Sequence, residues 1–298
     1  MRRNTLGIGQ QKRAGYIFLA PWLIGFFGLT IGPALASLYL SFTRYDLFGA
    51  PRWVGLANYT RLAFDDGKYW NSLHVTLIYV ALSVPLKLLM ALTIATTMNK
   101  GLRGLSIYRA IFYLPSLLGA SVAISILWRQ LFSVDGLVNK LLEPLGVHGI
   151  GWVTNPDTAL GTLILLSVWQ FGSPMIIFLA GLRMIPGDLY EAAALDGASR
   201  VRQFMLITLP LLTPVIFFNL VVQTIDAFKA FTPAYIVSGG TGGPVDATLF
   251  YTLYLFQQGF TYFRMGYAAA IAWVLVLIIG AFTAMAFLSA RFWVFYDE

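Results

Sequence analysis

The sequence predicts an all-α membrane protein built on six transmembrane helices, and three observations carry that expectation. Of the 298 residues, 58% are hydrophobic and only 11% charged, against about 25% charged in soluble globular domains. So few charges cannot cover a water-facing surface, and the mean hydropathy of +0.73 agrees. Six apolar stretches reach the roughly 20 residues that cross a hydrocarbon core. The polar segments between them are too short for an independent soluble core.

The stretches are 16–42, 75–97, 106–128, 159–182, 204–228 and 267–290. Lipid offers backbone amides no partner, so a spanning segment must satisfy its own amides as a helix. The first stretch follows Arg2, Arg3, Lys12 and Arg13 and contains Ala34-Leu35-Ala36, features shared with cleaved signal peptides. A signal core runs only about 7–15 residues. This one continues through Leu38-Tyr39-Leu40, which predicts a retained helix. The expected organisation is a tail over 1–15, a helical domain over 16–290 with its main cytoplasmic loop at about 183–204, and a second tail over 291–298.

Basic residues predict the orientation. With the N-terminus inside, eleven fall on the inner side: Arg2, Arg3, Lys12, Arg13, Lys100, Arg103, Arg109, Arg183, Arg200, Arg202 and Arg291. Eight fall on the outer side, and Lys87 lies within a span. The outer loops are longer and carry most of the acids, so basic density near helix ends puts both termini in the cytoplasm. The net charge of +7 is read as membrane orientation, not as a nucleic-acid footprint. With no cysteine, disulfides, thiolate metal sites and cysteine nucleophiles are excluded. His74 and His148 are far apart with no second ligand at i+4, so no zinc site is expected.

The loop between the fourth and fifth spans is the most informative stretch. Pro186-Gly187 makes a turn, Asp188 with Glu191 three residues later suggests a capping box, and a short alanine-rich helix follows over Leu189–Asp196. Gly197 ends it, and Ser199 can cap a second short helix running into Phe204. The result is a compact helix–turn–helix that exposes small side chains to an approaching protein. The alternative, an amphipathic helix lying on lipid headgroups, calls for bulky apolar residues opposite Lys and Arg. Three alanines and three acids favour docking.

These residues also carry a resemblance. Glu191-Ala192-Ala193, Asp196-Gly197-Ala198, Ile207 and Leu209-Pro210 resemble the EAA loop of ABC-importer permeases. Trp53-Val54-Gly55-Leu56-Ala57-Asn58-Tyr59 and Gly239-Gly240-Thr241-Gly242-Gly243-Pro244 are similar to outer-loop segments of the carbohydrate-uptake permeases, in particular their F-type subunits. The maltose member of that family has extra N-terminal helices and a large periplasmic insertion that this chain lacks. The resemblance implies a type I ABC-importer fold in a bacterial inner membrane, and a heterodimer with a second permease. It further implies two ABC ATPase subunits, which bind ATP and magnesium, and a periplasmic or lipid-anchored solute-binding protein. Glu191, Ala192, Ala193, Asp196, Gly197 and Ala198 would then be the ATPase-coupling residues. The chain itself has no Gly-x-x-x-x-Gly-Lys-Ser/Thr loop, so no cofactor and no catalysis are expected of it.

A transport pathway needs polar groups inside the bundle, where Pro and Gly interrupt helices. Trp169, Gln170 and Ser173 fall at such a break in the fourth span, and suit sugar chemistry through a stacking ring, an amide and a hydroxyl. Helix packing explains the same Gly and Ser residues equally well. The fifth span offers Asn219, Gln223 and Asp226, the last spaced to pair with Lys229 at i,i+3. Lys87 has two readings: it neutralises Asp226, or it meets an anionic sugar derivative. The cargo class is therefore a sugar or sugar derivative. The competing reading, an ion-coupled secondary transporter, requires intramembrane carboxylates, and Asp226 alone qualifies. An intramembrane enzyme requires a nucleophile–base or metal pair within the spans, and none is present.

Overall fold

A computed structural model describes residues 8–99, 104–119, 121–146 and 149–295, with side chains from residue 16 onward except 17. Arg2, Arg3, Lys100, Arg103 and His148, and the side chains of Lys12 and Arg13, lie outside what is described.

Four membrane-length helical runs are present: Phe18–Ser41, Gly67–Met98, Arg200–Val237 and Met265–Trp293. The other two expected spans are each a broken pair, Leu105–Leu118 with Val122–Leu131 and Pro156–Trp169 with Gly172–Met184. Six spans result when each pair is counted once. The fourth span breaks where Gln170-Phe171-Gly172 was expected to interrupt it, with a bend of 41°. The break in the third was not anticipated. Leu105–Leu118 ends on Gly119 at φ +51°, and Ser121 starts the next helix by accepting the Ile124 N–H at 3.2 Å. Other bounds also shift. The second span begins at Gly67, where Asp66 accepts the Tyr69 N–H at 3.0 Å. The N-terminal tail is helical from Ile8, and the last helix runs to Trp293.

Three turns are widened to i→i+5 hydrogen bonding among the described residues, Phe26–Ile31, Phe204–Thr208 and Gln257–Thr261, and the first two end two residues before a proline, Pro33 or Pro210. A proline ring crowds the carbonyl four residues back, and opening the turn ahead of it relieves that contact.

The chain forms two compact units, one from residues up to Asp65 with Leu255–Leu275, the other from Asp66–Tyr254 with Val276 onward. In the first, Thr43–Arg44 and Arg52–Trp53 pair antiparallel after the first span. Asn58 staples this hairpin by donating to the Ser41 and Thr43 carbonyls at 2.8 and 2.9 Å, while Tyr59 and Ser41 share a hydroxyl bond of 2.7 Å. These bonds explain why the segment around Asn58-Tyr59 needs those side chains. A β-carbon on Gly266 would sit 2.1 Å from the Thr43 carbonyl oxygen, so the backbones meet there only because the residue is glycine.

In the second unit Gly67–Met98 packs against Pro156–Trp169, Gly172–Met184 and Leu209–Phe228. Ala91, Ala95 and Ala159 are fully buried at this junction, where small side chains let helices approach closely. The glycine-rich segment folds onto the start of the same helix. Asn71 donates to the Asp246 carbonyl at 3.1 Å, Lys68 pairs with the Asp246 carboxylate at 3.3 Å, and Thr76 accepts the Tyr251 N–H at 2.8 Å. Phe18, Leu29, Leu277 and Leu288 are exposed, as suits helices solvated by lipid.

Candidate functional site

The segment after the fourth span forms a helix over Gly187–Leu195 and a shorter one over Arg200–Gln203. The first begins two residues earlier than expected, and the capping box does not form. Pro186 occupies the N-cap with extended backbone and no side-chain acceptor, leaving Asp188 in the first turn. There a carboxylate is favoured by the helix dipole instead. The end is as the sequence suggests. Gly197 takes φ +75°, its N–H reaches the Ala194 carbonyl at 3.0 Å, and the Ala198 N–H reaches Ala193 at 2.9 Å. That paired closure needs a left-handed residue, which glycine adopts without a β-carbon penalty. Ser199 accepts the Arg202 N–H at 3.4 Å and so caps the second helix.

Glu191, Ala192, Asp196 and Gly197 are exposed, while Ala193 and Ala198 are half-buried. Leu195 is 90% exposed, a bulky apolar knob set among small residues. Two ties that sequence reasoning missed hold this segment to the fifth span. Tyr190 and Thr208 share a hydroxyl bond of 2.9 Å, and Gln203 donates to the Ala198 carbonyl at 3.1 Å. Periodicity gave no hint that Tyr190 would turn toward Thr208.

Within the bundle lies a polar cavity of about 460 Å³. Five of the seven residues expected along a pathway line it together: Lys87, Gln170, Ser173, Gln223 and Asp226. The two helix breaks meet at Ser116. Its hydroxyl donates to the Gln170 carbonyl at 2.8 Å and accepts the Ser173 N–H at 3.0 Å, satisfying backbone groups that the break would leave unpaired. The Gln170 amide donates across to the Gly119 carbonyl at 3.2 Å. Gly172 permits this approach, since a β-carbon there would lie 2.4 Å from the Phe112 carbonyl oxygen and 2.7 Å from Tyr113 Cα. Ser116 itself was not singled out from the sequence, because a serine after a proline in an apolar run has no local signature.

Two expected residues are elsewhere. Trp169 does not line the cavity; its ring lies tilted against Trp128 with centroids 6.0 Å apart. The helix breaks one residue after it, and this rotates Gln170 and Trp169 onto different faces. Tyr79 and Phe231 supply the aromatic lining instead. Asn219 is fully buried among helices, donating to the Val215 carbonyl at 3.1 Å. Asp226 pairs with Lys229 at 3.1 Å and not with Lys87. Arg264 belongs to the first unit, where it bonds Gln258 at 3.3 Å.

A helical membrane chain with an internal polar cavity and an exposed, rigidly held helix is the membrane part of a transporter. Residues 60–294 match the model for the binding-protein-dependent transport system inner membrane component, and the chain belongs to that family. It is 55% identical over 297 residues to the probable ABC transporter permease protein YesP of Bacillus subtilis (strain 168), covering 99% of this chain and 96% of that one. Identity to the lactose transport system permease protein LacF of Rhizobium radiobacter is 35% over 283 residues, covering 93% and 94%. A crystal structure of a bacterial alginate ABC transporter, in complex with an alginate pentasaccharide-bound periplasmic protein, matches with a TM-score of 0.81 over 95% of each chain. At 21% identity, that match establishes the fold. The protein is thus a non-catalytic permease subunit in the inner membrane, and ATP hydrolysis belongs to a separate subunit.

Proposed function

We propose that this chain forms half of the translocation pathway of an ATP-driven importer whose cargo is a sugar or sugar derivative. A second permease completes the pathway, two copies of an ABC ATPase bind ATP and magnesium beneath it, and a solute-binding protein delivers the cargo from outside. Both termini face the cytoplasm, in keeping with the basic residues near the inner helix ends.

One observation carries the mechanism: the fifth span joins the coupling segment to the cavity. Tyr190 grips it at Thr208, and Gln223 and Asp226 of the same span line the cavity. ATPase closure displaces the Gly187–Leu195 helix, the bond at Thr208 passes that displacement into the span, and the cavity lining shifts between outward and inward access. Such coupling requires contacts that differ between two states. Glu191, Asp196 and the exposed Leu195 offer them.

The lining suits a polyhydroxylated cargo. Gln170 and Gln223 contribute amides, Ser167 and Ser173 hydroxyls, and Tyr79 and Phe231 flat apolar faces for sugar C–H surfaces. Ion-coupled transport is the weaker reading, because the one carboxylate in the lining is already paired with Lys229. A mild-detergent pull-down from the native membrane tests the assembly. The expected result is a P-loop ATPase in about twofold excess and a second EAA-type permease. A homo-oligomer that transports without any ATPase would overturn the reading.

A further inference from the structure

The fifth span and the last helix stand apart over an apolar cleft of about 370 Å³, lined by Leu220, Val221 and Thr224 on one side and Phe282, Met285 and Ala286 on the other. On the side of the cleft toward Thr208 the two helices are tied together. Phe217 is buried, with its ring edge-on to Phe287 at 5.0 Å and to Trp293 at 6.0 Å. Beyond Trp293 the helix stops. The Val294 N–H still reaches the Ala290 carbonyl at 2.8 Å, but the Phe295 N–H leaves the helical ladder and donates to the Thr213 hydroxyl at 2.9 Å.

The prolines around Thr213 fit it for this bond. Pro214 has no N–H, so the Pro210 carbonyl four residues back loses its helical donor. The Thr213 hydroxyl donates to that carbonyl at 2.6 Å, which leaves its oxygen to accept from Phe295. Thr208, where Tyr190 grips the span, precedes Thr213 by about a turn and a half of helix. The widened turn Phe204–Thr208 and the two prolines thin the hydrogen-bond ladder where a displacement would enter. A helix with such breaks bends under load, and a brace to a second helix stiffens it.

We propose that Thr213 is a positioning residue of the transport cycle. Its hydroxyl clasps the segment after the last helix to the proline turn of the fifth span, so that a displacement arriving at Thr208 moves both helix ends as one body. This rests on the reading of Tyr190 and Thr208 as the link from the coupling segment. A neutral hydrogen bond adds little net stability. What this one supplies is direction, since it fixes the chain leaving Trp293 against one turn of the neighbouring helix.

The test uses the complete transporter in lipid nanodiscs. The chain has no cysteine, so with cysteine-free partner subunits two spin labels can be placed at will. Met205 and Phe292 are exposed and lie on either side of the clasp, one in the widened turn and one beside Trp293. Pulsed dipolar spectroscopy reads their separation without nucleotide and after trapping with ATP, magnesium and vanadate. With Thr213 present the separation should be the same in both states. Thr213→Val keeps the shape and loses the hydroxyl, and trapping should then shift the separation by roughly 2 Å, the scale of helix shifts in switching proteins. Thr213→Ser should restore the constant separation. A separation that changes on trapping with Thr213 in place, a measurement that needs no Thr213 variant to fold, would overturn the clasp. So would a Thr213→Val complex whose unfolding midpoint falls but whose separation stays constant, because that is the mark of a merely structural threonine. Purification of the wild-type complex without an ATPase is a different failure, which overturns the importer reading and this inference with it.

Discussion

In the coupling segment, every bond that defines the shape closes over a short stretch of chain. Ala198 reaches back to Ala193, Ser199 reaches to Arg202, and the longest tie, Tyr190 to Thr208, spans 18 residues. The cavity is assembled the other way. Ser116 binds backbone 54 and 57 residues away, and the lining draws on Lys87 from the second span, Gln170 from the fourth and Gln223 from the fifth. The first region is exposed and specified by local backbone chemistry. The second is buried and exists only when distant helices pack. In the transport cycle proposed above, a self-contained lever would transmit motion without deforming, while a shared cavity would change shape whenever any of its helices moved.

Substitutions at the two regions should therefore fail differently. The largest effect is expected at Gly197, where φ is +75° and open space surrounds the α-carbon. Gly197→Leu strains the turn and adds bulk to the docking face, so transport and substrate-stimulated ATP hydrolysis should fall at least tenfold while the membrane level on immunoblots stays normal. Gly197→Asn, which tolerates left-handed backbone, should retain most activity. Wild-type transport by Gly197→Leu would contradict the docking role.

Gly172 should behave in the opposite manner. A β-carbon there collides with the backbone of Phe112 and Tyr113, which cannot swing aside. Gly172→Ala should cost about 1–3 kcal/mol, the usual range for overpacking, seen as a lowered unfolding midpoint in detergent together with weakened transport. A variant with wild-type stability would mean that the two broken spans are not held in the observed contact.

The smallest effect sharpens the link between the regions. Tyr190→Phe removes the bond to Thr208 and should cost about 0.5–1.5 kcal/mol. The expected outcome is transport reduced a few fold at nearly unchanged ATP hydrolysis, measured on the same vesicles. Equal loss of both activities would show that the bond serves stability and not transmission.

The helix pair around Gly197 was legible because its signals are local: a glycine at the stop, a serine at the next start, and small residues between them. The capping box at Asp188 misled, since Pro186 begins the helix without a side-chain acceptor. At the cavity, residue types alone indicated Gln170, Ser173, Gln223, Asp226 and Lys87, because polar groups in apolar spans are conspicuous. Which face each would occupy was not readable. Trp169 and Gln170 are neighbours, yet the helix break between them sends one ring to Trp128 and the other side chain into the cavity.

By itself, then, the sequence determined the membrane class, the places of the apolar helical stretches and the form of the short helix that ends at Gly197. All three follow from transfer of side chains into lipid and from backbone rules acting over a few residues. Tertiary structure decided that the third span breaks at Gly119, that Ser116 locks two broken spans together, and that Asp226 forms its ion pair with Lys229 and not with Lys87. These depend on contacts between segments far apart in the chain, where the rotation of a helix about its axis, and not its composition, sets which side chain meets which.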